Sequence, residues 1–197
     1  MYKRQVSDLS YEGRLRSRLP ETADRSLEGI APGLHPVPVH HPGSTVESPE
    51  EAAVVLDLVR AHLGLLWSDP ARGRTADPLG EDDLIVVAPF NAQVALLRGL
   101  LDEAGLRRVR VGTVDKFQGQ EAVIAIVSLT ASSPADVPRG IGFVLSRNRI
   151  NVAISRAQWA SHLVHSPALG EALPLDAEGV AELSGFLRMT ASGTPAA

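Results

Sequence analysis

Three short segments of this chain gather residue types that can hold phosphates or act on them. The first is Val114-Asp115-Lys116-Phe117-Gln118-Gly119-Gln120-Glu121. A glycine lets the backbone approach a ligand, and Gln118 and Glu121 offer donors and acceptors for a sugar or phosphate. The same eight residues also read as a plain strand connection with a turn glycine. The second is Ser146-Arg147-Asn148-Arg149-Ile150-Asn151-Val152-Ala153-Ile154-Ser155-Arg156-Ala157. If it is helical, Arg149 and Arg156 stand two turns apart on one face. Guanidinium groups neutralise and chelate phosphoryl oxygens, so this face suits a phosphate; a solvated arginine face is the alternative. The third is Val87-Ala88-Pro89-Phe90-Asn91-Ala92-Gln93. It leads into a helix whose N-terminus favours an anion such as a nucleic-acid phosphate.

Other clusters point to less. His35, His40 and His41 lie close together without a carboxylate at ligand spacing, so no metal site is expected. His162 and His165 fall on opposite faces of a predicted strand and read as structural. Glu81-Asp82-Asp83 precedes its strand, whereas a metal-binding Walker B acid would follow one. It reads as a solvated charge run. No Gly-x-x-x-x-Gly-Lys-Ser/Thr occurs, hence no P-loop. The absence of cysteine excludes disulfides, thiol catalysis and cysteine-based metal sites, and fits a cytoplasmic location.

The elements that must position these segments follow from pattern. Ser48-Pro49-Glu50-Glu51 opens a helix to about Gly64, with Ser48 as N-cap and Glu51 completing a capping box. Residues 65–82 read as a polar loop. Leu84–Ala88 and Val123–Leu129 are continuous apolar runs, as strands buried on both faces of a parallel sheet require. Asn91–Ala104 is a helix stopped by Gly105. Val109–Thr113 and Trp159–His165 are further strands, Asn148–Ala157 and Glu178–Leu187 further helices, and one short strand is expected around Val37–His40. This alternation predicts an α/β fold with a mainly parallel sheet, and ligands at the carboxyl ends of its strands. The expected organisation is an irregular lead-in over 1–47, one domain over 48–190 and a disordered tail over 191–197.

Composition bounds the partner. With 19 basic and 23 acidic residues the net charge is −4, so any contact with nucleic acid must be local. Arg147, Arg149 and Arg156, with Arg107, Arg108 and Arg110, could supply such a strip. No apolar run approaches the roughly 18 to 20 residues that span a bilayer.

Taken in order, Ala88–Gln93, Val114–Glu121 and Arg149–Ala157 resemble motifs IV, V and VI of superfamily 1 helicases. The branch they resemble is the 5′-to-3′ group that includes the nonsense-mediated-decay RNA helicase and the replication helicase–nuclease. Tyr11-Glu12-Gly13 is similar to an element that opens the second motor domain there. The resemblance implies a RecA-like domain lacking its own P-loop. It implies that Arg156 is an arginine finger reaching the γ-phosphate, and that Gln118, Gly119 and Glu121 face the nucleotide. It also implies that Pro89, Asn91, Thr113 and Val114 touch single-stranded DNA or RNA, while Arg149 and Asn151 brace the finger. ATP and Mg2+ would be used by the intact two-domain enzyme and not held by this chain alone. The N-terminal motor domain with Walker A and B is not in the sequence, so the expectation is a fragment or subunit without activity by itself. A non-catalytic module that binds single strands or a partner is the alternative; a generic α/β enzyme for a phosphorylated substrate leaves the motif order unexplained.

Overall fold

The apolar runs form a five-stranded parallel sheet. In the computed structural model, which describes residues 24–117, 119–174 and 176–191, it comprises β2 (Gly33–Pro38), β5 (Leu84–Val87), β6 (Arg110–Gly112), β7 (Ala122–Ser128) and β8 (Ala157–His165). The strand order is β2-β8-β7-β5-β6, and every neighbouring pair is parallel. Within the strands side chains alternate between two cores. Ile85, Val87, Ala125 and Val127 enter one, and Leu84, Val86, Ile124 and Ile126 enter the other. Both faces are covered, so a run with no polar alternation is the pattern that fits.

Among the described residues five helices supply the cover. Val55 and Val59 of α1 (Pro49–His62) and Leu97 and Leu101 of α2 (Asn91–Glu103) close one face. Leu145 of α3 (Ile141–Leu145), Ile150 and Ile154 of α4 (Arg147–Ile154), and Phe186 and Met189 of α5 (Ala177–Ala191) close the other. Gly105, at φ 79°, ends α2 as expected. The α/β class read from the sequence is the one observed.

Several expectations need correction. Residues 65–82 are not only loop: β3 (Leu66–Asp69) and β4 (Arg74–Pro78) form a hairpin there, and β1 (Ser26–Leu27) pairs with β3 in a separate antiparallel sheet. These strands are two to five residues long. Their inward residues include a buried acid, Asp69, paired with Arg25 at 2.9 Å, so hydropathy does not mark them. β2, inside the lead-in, is the short strand expected around Val37–His40, but it begins earlier and ends at Pro38. It carries Pro36 and Pro38, which an edge strand tolerates because one side of its backbone has no ladder to complete. α4 ends at Ile154 and not at Ala157, and α3 was not foreseen. Ala191, expected in the tail, ends α5. Tyr11-Glu12-Gly13 and residues 192–197 lie outside the described residues.

Candidate functional site

A cavity of about 240 Å³ opens where β5, β6 and β7 end. Pro89, Asn91, Thr113 and Val114, drawn from two segments far apart in sequence, all line it. The parallel sheet brings them together because Val87, Gly112 and Val127 stand level in the ladder. Phe90, the N-cap of α2, caps no backbone amide with its side chain, so the first-turn N–H groups beside Asn91 are not satisfied from that residue. Asp115 contributes one acidic group to the wall.

Two arginines complete the cavity, and one of them was missed from the sequence. The guanidinium carbon of Arg149 lies 4.3 Å from the centre of the Phe143 ring and that of Arg139 lies 4.9 Å away. Each such contact contributes on the order of 0.5–1 kcal/mol when exposed. Among the described residues neither arginine has an ion pair. Arg149, expected to brace the finger, lines the cavity and packs on Phe143, while Asn151 is buried. Arg139 sits in an irregular stretch and Phe143 on the unforeseen α3, so no periodicity flagged either. Pro-Arg-Gly at 138–140 was the available signal.

Gly119, Glu121 and Arg156 lie elsewhere. They precede β7 and β8 at the amino edge of the sheet, where Ala122 pairs with Ala157. From Ala122 to Val127 is five residues, about 16 Å at the parallel-strand rise. The expectation of a single carboxyl-edge site is therefore corrected: the connection 113–121 starts at the carboxyl edge of β6 and finishes at the amino edge of β7. The Ala122 N–H donates to the Arg156 carbonyl at 3.0 Å, which ties the two segments together. The Arg156 guanidinium folds back, donating from Nε to the Val152 carbonyl at 2.9 Å and from Nη2 to the Ser155 hydroxyl at 3.2 Å. Arg156 lies beyond the end of α4, so it does not share a helix face with Arg149. Gly119 adopts φ 79°, a conformation that favours glycine, and a Cβ there would meet nothing within 4 Å. Gln118 lies outside the described residues.

Two members of the expected arginine strip, Arg108 and Arg110, are engaged by neighbouring groups. Arg108 is 3.6 Å from Asp82, and Arg110 donates to the Asp82 and Glu121 carbonyls at 3.0 and 3.3 Å. Arg74 pairs with Asp83. The acidic run 81–83 is thus engaged by arginines and not merely solvated.

A buried polar network supports the carboxyl edge. Ser48 accepts from the Glu51 N–H at 3.1 Å, but the capping box is only half made. The Glu51 carboxylate, fully buried, turns away to accept from the Ser128 hydroxyl at 2.6 Å and the Thr130 N–H at 2.9 Å. His41 bridges Glu51 at 3.1 Å and Ser132 at 2.7 Å. The Ser48 N–H donates to Gln93 instead, at 2.7 Å. Ser132, His41 and Glu51 have the composition of a hydrolytic triad, yet Ser132 is 3% exposed, so its hydroxyl faces no substrate. The network pins the turn after β7, where Thr130 holds φ 75°. Among the described residues no group of three or more His, Cys, Asp or Glu could hold a metal ion.

The family described as an AAA domain matches residues 35–167. The chain is 44% identical over 96 residues, 42% of its length, to "DNA polymerase alpha-associated DNA helicase A" of Schizosaccharomyces pombe. It is 33% identical over 99 residues, 48% of its length, to "Probable RNA helicase armi" of Drosophila melanogaster. It is 30% identical over 142 residues, 67% of its length, to "3'-5' exoribonuclease HELZ2" of Homo sapiens. It spans 14%, 8% and 5% of those relatives. The C-terminal domain of a possible DNA helicase from Lactobacillus plantarum WCFS1 superposes with a TM-score of 0.45 at 16% identity, covering 85% of this chain and 90% of that one. Among the described residues no helix is long and apolar enough to cross a membrane.

Proposed function

The chain belongs to the AAA domain family, and from that premise we propose that it is the C-terminal motor domain of an ATP-dependent helicase of superfamily 1, 5′-to-3′ branch. The observation that carries the reading is the division of the three motif-like segments between two edges of one sheet. Pro89, Asn91, Thr113, Val114 and Arg149 gather at a cavity, and Gly119, Glu121 and Arg156 gather at the far edge.

At the carboxyl edge a single strand lies with backbone phosphates against Arg139, Arg149 and the start of α2. Contacts of this kind grip without reading sequence. At the amino edge Glu121 meets the ribose and Arg156 swings from the Val152 carbonyl to the γ-phosphate of ATP held by a P-loop domain. There it stabilises charge that develops in phosphoryl transfer, an effect on the order of 10³ to 10⁵ in rate. The amino edge supplies cations and Glu121 faces Arg72, so this edge offers phosphate and ribose contacts, with the Mg2+ ligands coming from the P-loop domain. Helix α4 links the edges: Arg149 and Ala153 line the cavity, and Arg156 follows three residues later. Strand engagement that shifts α4 therefore moves the finger.

The test is binding of a fluorescent single-stranded oligonucleotide to the pure chain across a salt series. Arg139→Gln with Arg149→Gln should weaken binding and flatten the slope of log K against log salt by about 1.4, since each lost phosphate contact on a single strand removes roughly 0.7. Arg156→Gln should leave both unchanged. An unaltered slope in the double variant contradicts the assignment of the cavity.

A further inference from the structure

The β3–β4 hairpin brings to the nucleotide edge a residue that none of the three motif-like segments contains. Its tip is a 3-10 turn, Pro70–Arg72, closed by Gly73 at φ 70°. Asp69 at the start of that turn is fully buried and paired with Arg25, and it lies 3.8 Å from Arg72 Nε. On its other side Arg72 Nη2 lies 3.6 Å from Glu121 Oε2. The guanidinium thus stands between a fixed carboxylate of its own hairpin and the carboxylate of the nucleotide loop. Arg110 holds the same loop by its backbone, donating to the Glu121 carbonyl at 3.3 Å and to the Gln120 side chain at 3.3 Å. Backbone and side chain of Glu121 are therefore engaged from two directions, by β6 and by the hairpin. A surface ion pair of this kind adds little to stability; its effect is on direction. With one oxygen turned to Arg72, the other is free to accept from a hydroxyl.

We propose that Arg72 is a positioning residue of the nucleotide half-site: it holds the Glu121 carboxylate toward the ribose diol and so sets a preference for a ribonucleoside triphosphate over its 2′-deoxy counterpart. The proposal rests on the reading of Gly119–Glu121 and Arg156 as the nucleotide edge. An acidic side chain that accepts from a ribose hydroxyl discriminates only if its oxygen is held in place.

The experiment uses the chain, labelled with 15N and joined to a P-loop motor domain, titrated separately with ATP and with 2′-deoxy-ATP while the amides of Gly119, Gln120 and Glu121 and the Arg72 side-chain Nε–H are followed. In the wild type ATP should shift these signals at concentrations roughly fivefold lower than 2′-deoxy-ATP does, as expected for one partly exposed charge-assisted hydrogen bond. Arg72→Gln should bring the ratio close to one, and Arg72→Lys should keep part of it. Signals from β7 core residues report that the variants remain folded. Equal binding of the two nucleotides by the wild type, or an unchanged ratio in Arg72→Gln, overturns the positioning role and leaves the half-site reading standing. No ATP-dependent shift at this loop in the wild type overturns both.

Discussion

The His62 and His162 rings meet through their Nε2 atoms, 2.9 Å apart, with His35 stacked on His162. His62 Nδ1 donates to the Leu58 carbonyl at 2.6 Å, so its Nε2 is the acceptor and His162 Nε2 carries the proton. Both rings are neutral in this arrangement. Burial, with the neighbouring His62 and His35, drives the His162 pKa down to about 3, and burial lowers His62 as well. The unfolded chain then binds protons below about pH 6.5 that the folded chain refuses. Stability is fully present above that pH and falls as pH is lowered toward 3, by up to about 1.4 kcal/mol per pH unit for His162. Melting temperature should thus drop between pH 7.5 and pH 5, and drop less in His162→Leu; equal slopes in the two proteins would refute this. Residue types alone suggested a structural His162, and the ring is buried. They did not reveal its partner, because His62 is a hundred residues away.

Helices were legible where one face is apolar and an end is marked by Ser, Pro or Gly. α1 and α2 are found within one or two residues of their expected bounds. The hairpin and α3 were not legible: they pack through contacts such as Trp67 against Trp159 at 5.5 Å and Phe143 against Phe90 at 5.4 Å, which a local window does not contain. Glu51 shows the same limit. Its spacing from Ser48 suggested a cap partner, but the side chain is used to join α1 to the end of β7. Glu51→Ala should cost roughly 3 kcal/mol, because it strands the Ser128 hydroxyl, the Thr130 N–H and His41 without an acceptor in a buried site. Urea unfolding checks this; a loss below about 1 kcal/mol would mean that water or a neighbour replaces the carboxylate.

At the scale of the whole molecule, the motif order pointed to helicase chemistry, and the fold class followed from strand pattern. The split between edges was hidden, because a sequence shows that 113–121 connects two strands but not that it crosses the sheet. Under the proposed function, that crossing is what lets one chain form a wall of an ATP cleft and part of a strand-binding surface together. The most direct test of that claim is steady-state ATP hydrolysis with and without a single-stranded oligonucleotide, comparing the chain alone with the chain joined to a P-loop motor domain. The account predicts no turnover by the 197 residues alone, strand-stimulated turnover in the joined protein, and a loss on the order of 10³ or more in Arg156→Ala. Strand-stimulated hydrolysis by the chain alone, or near wild-type turnover in the joined Arg156→Ala protein, would contradict it.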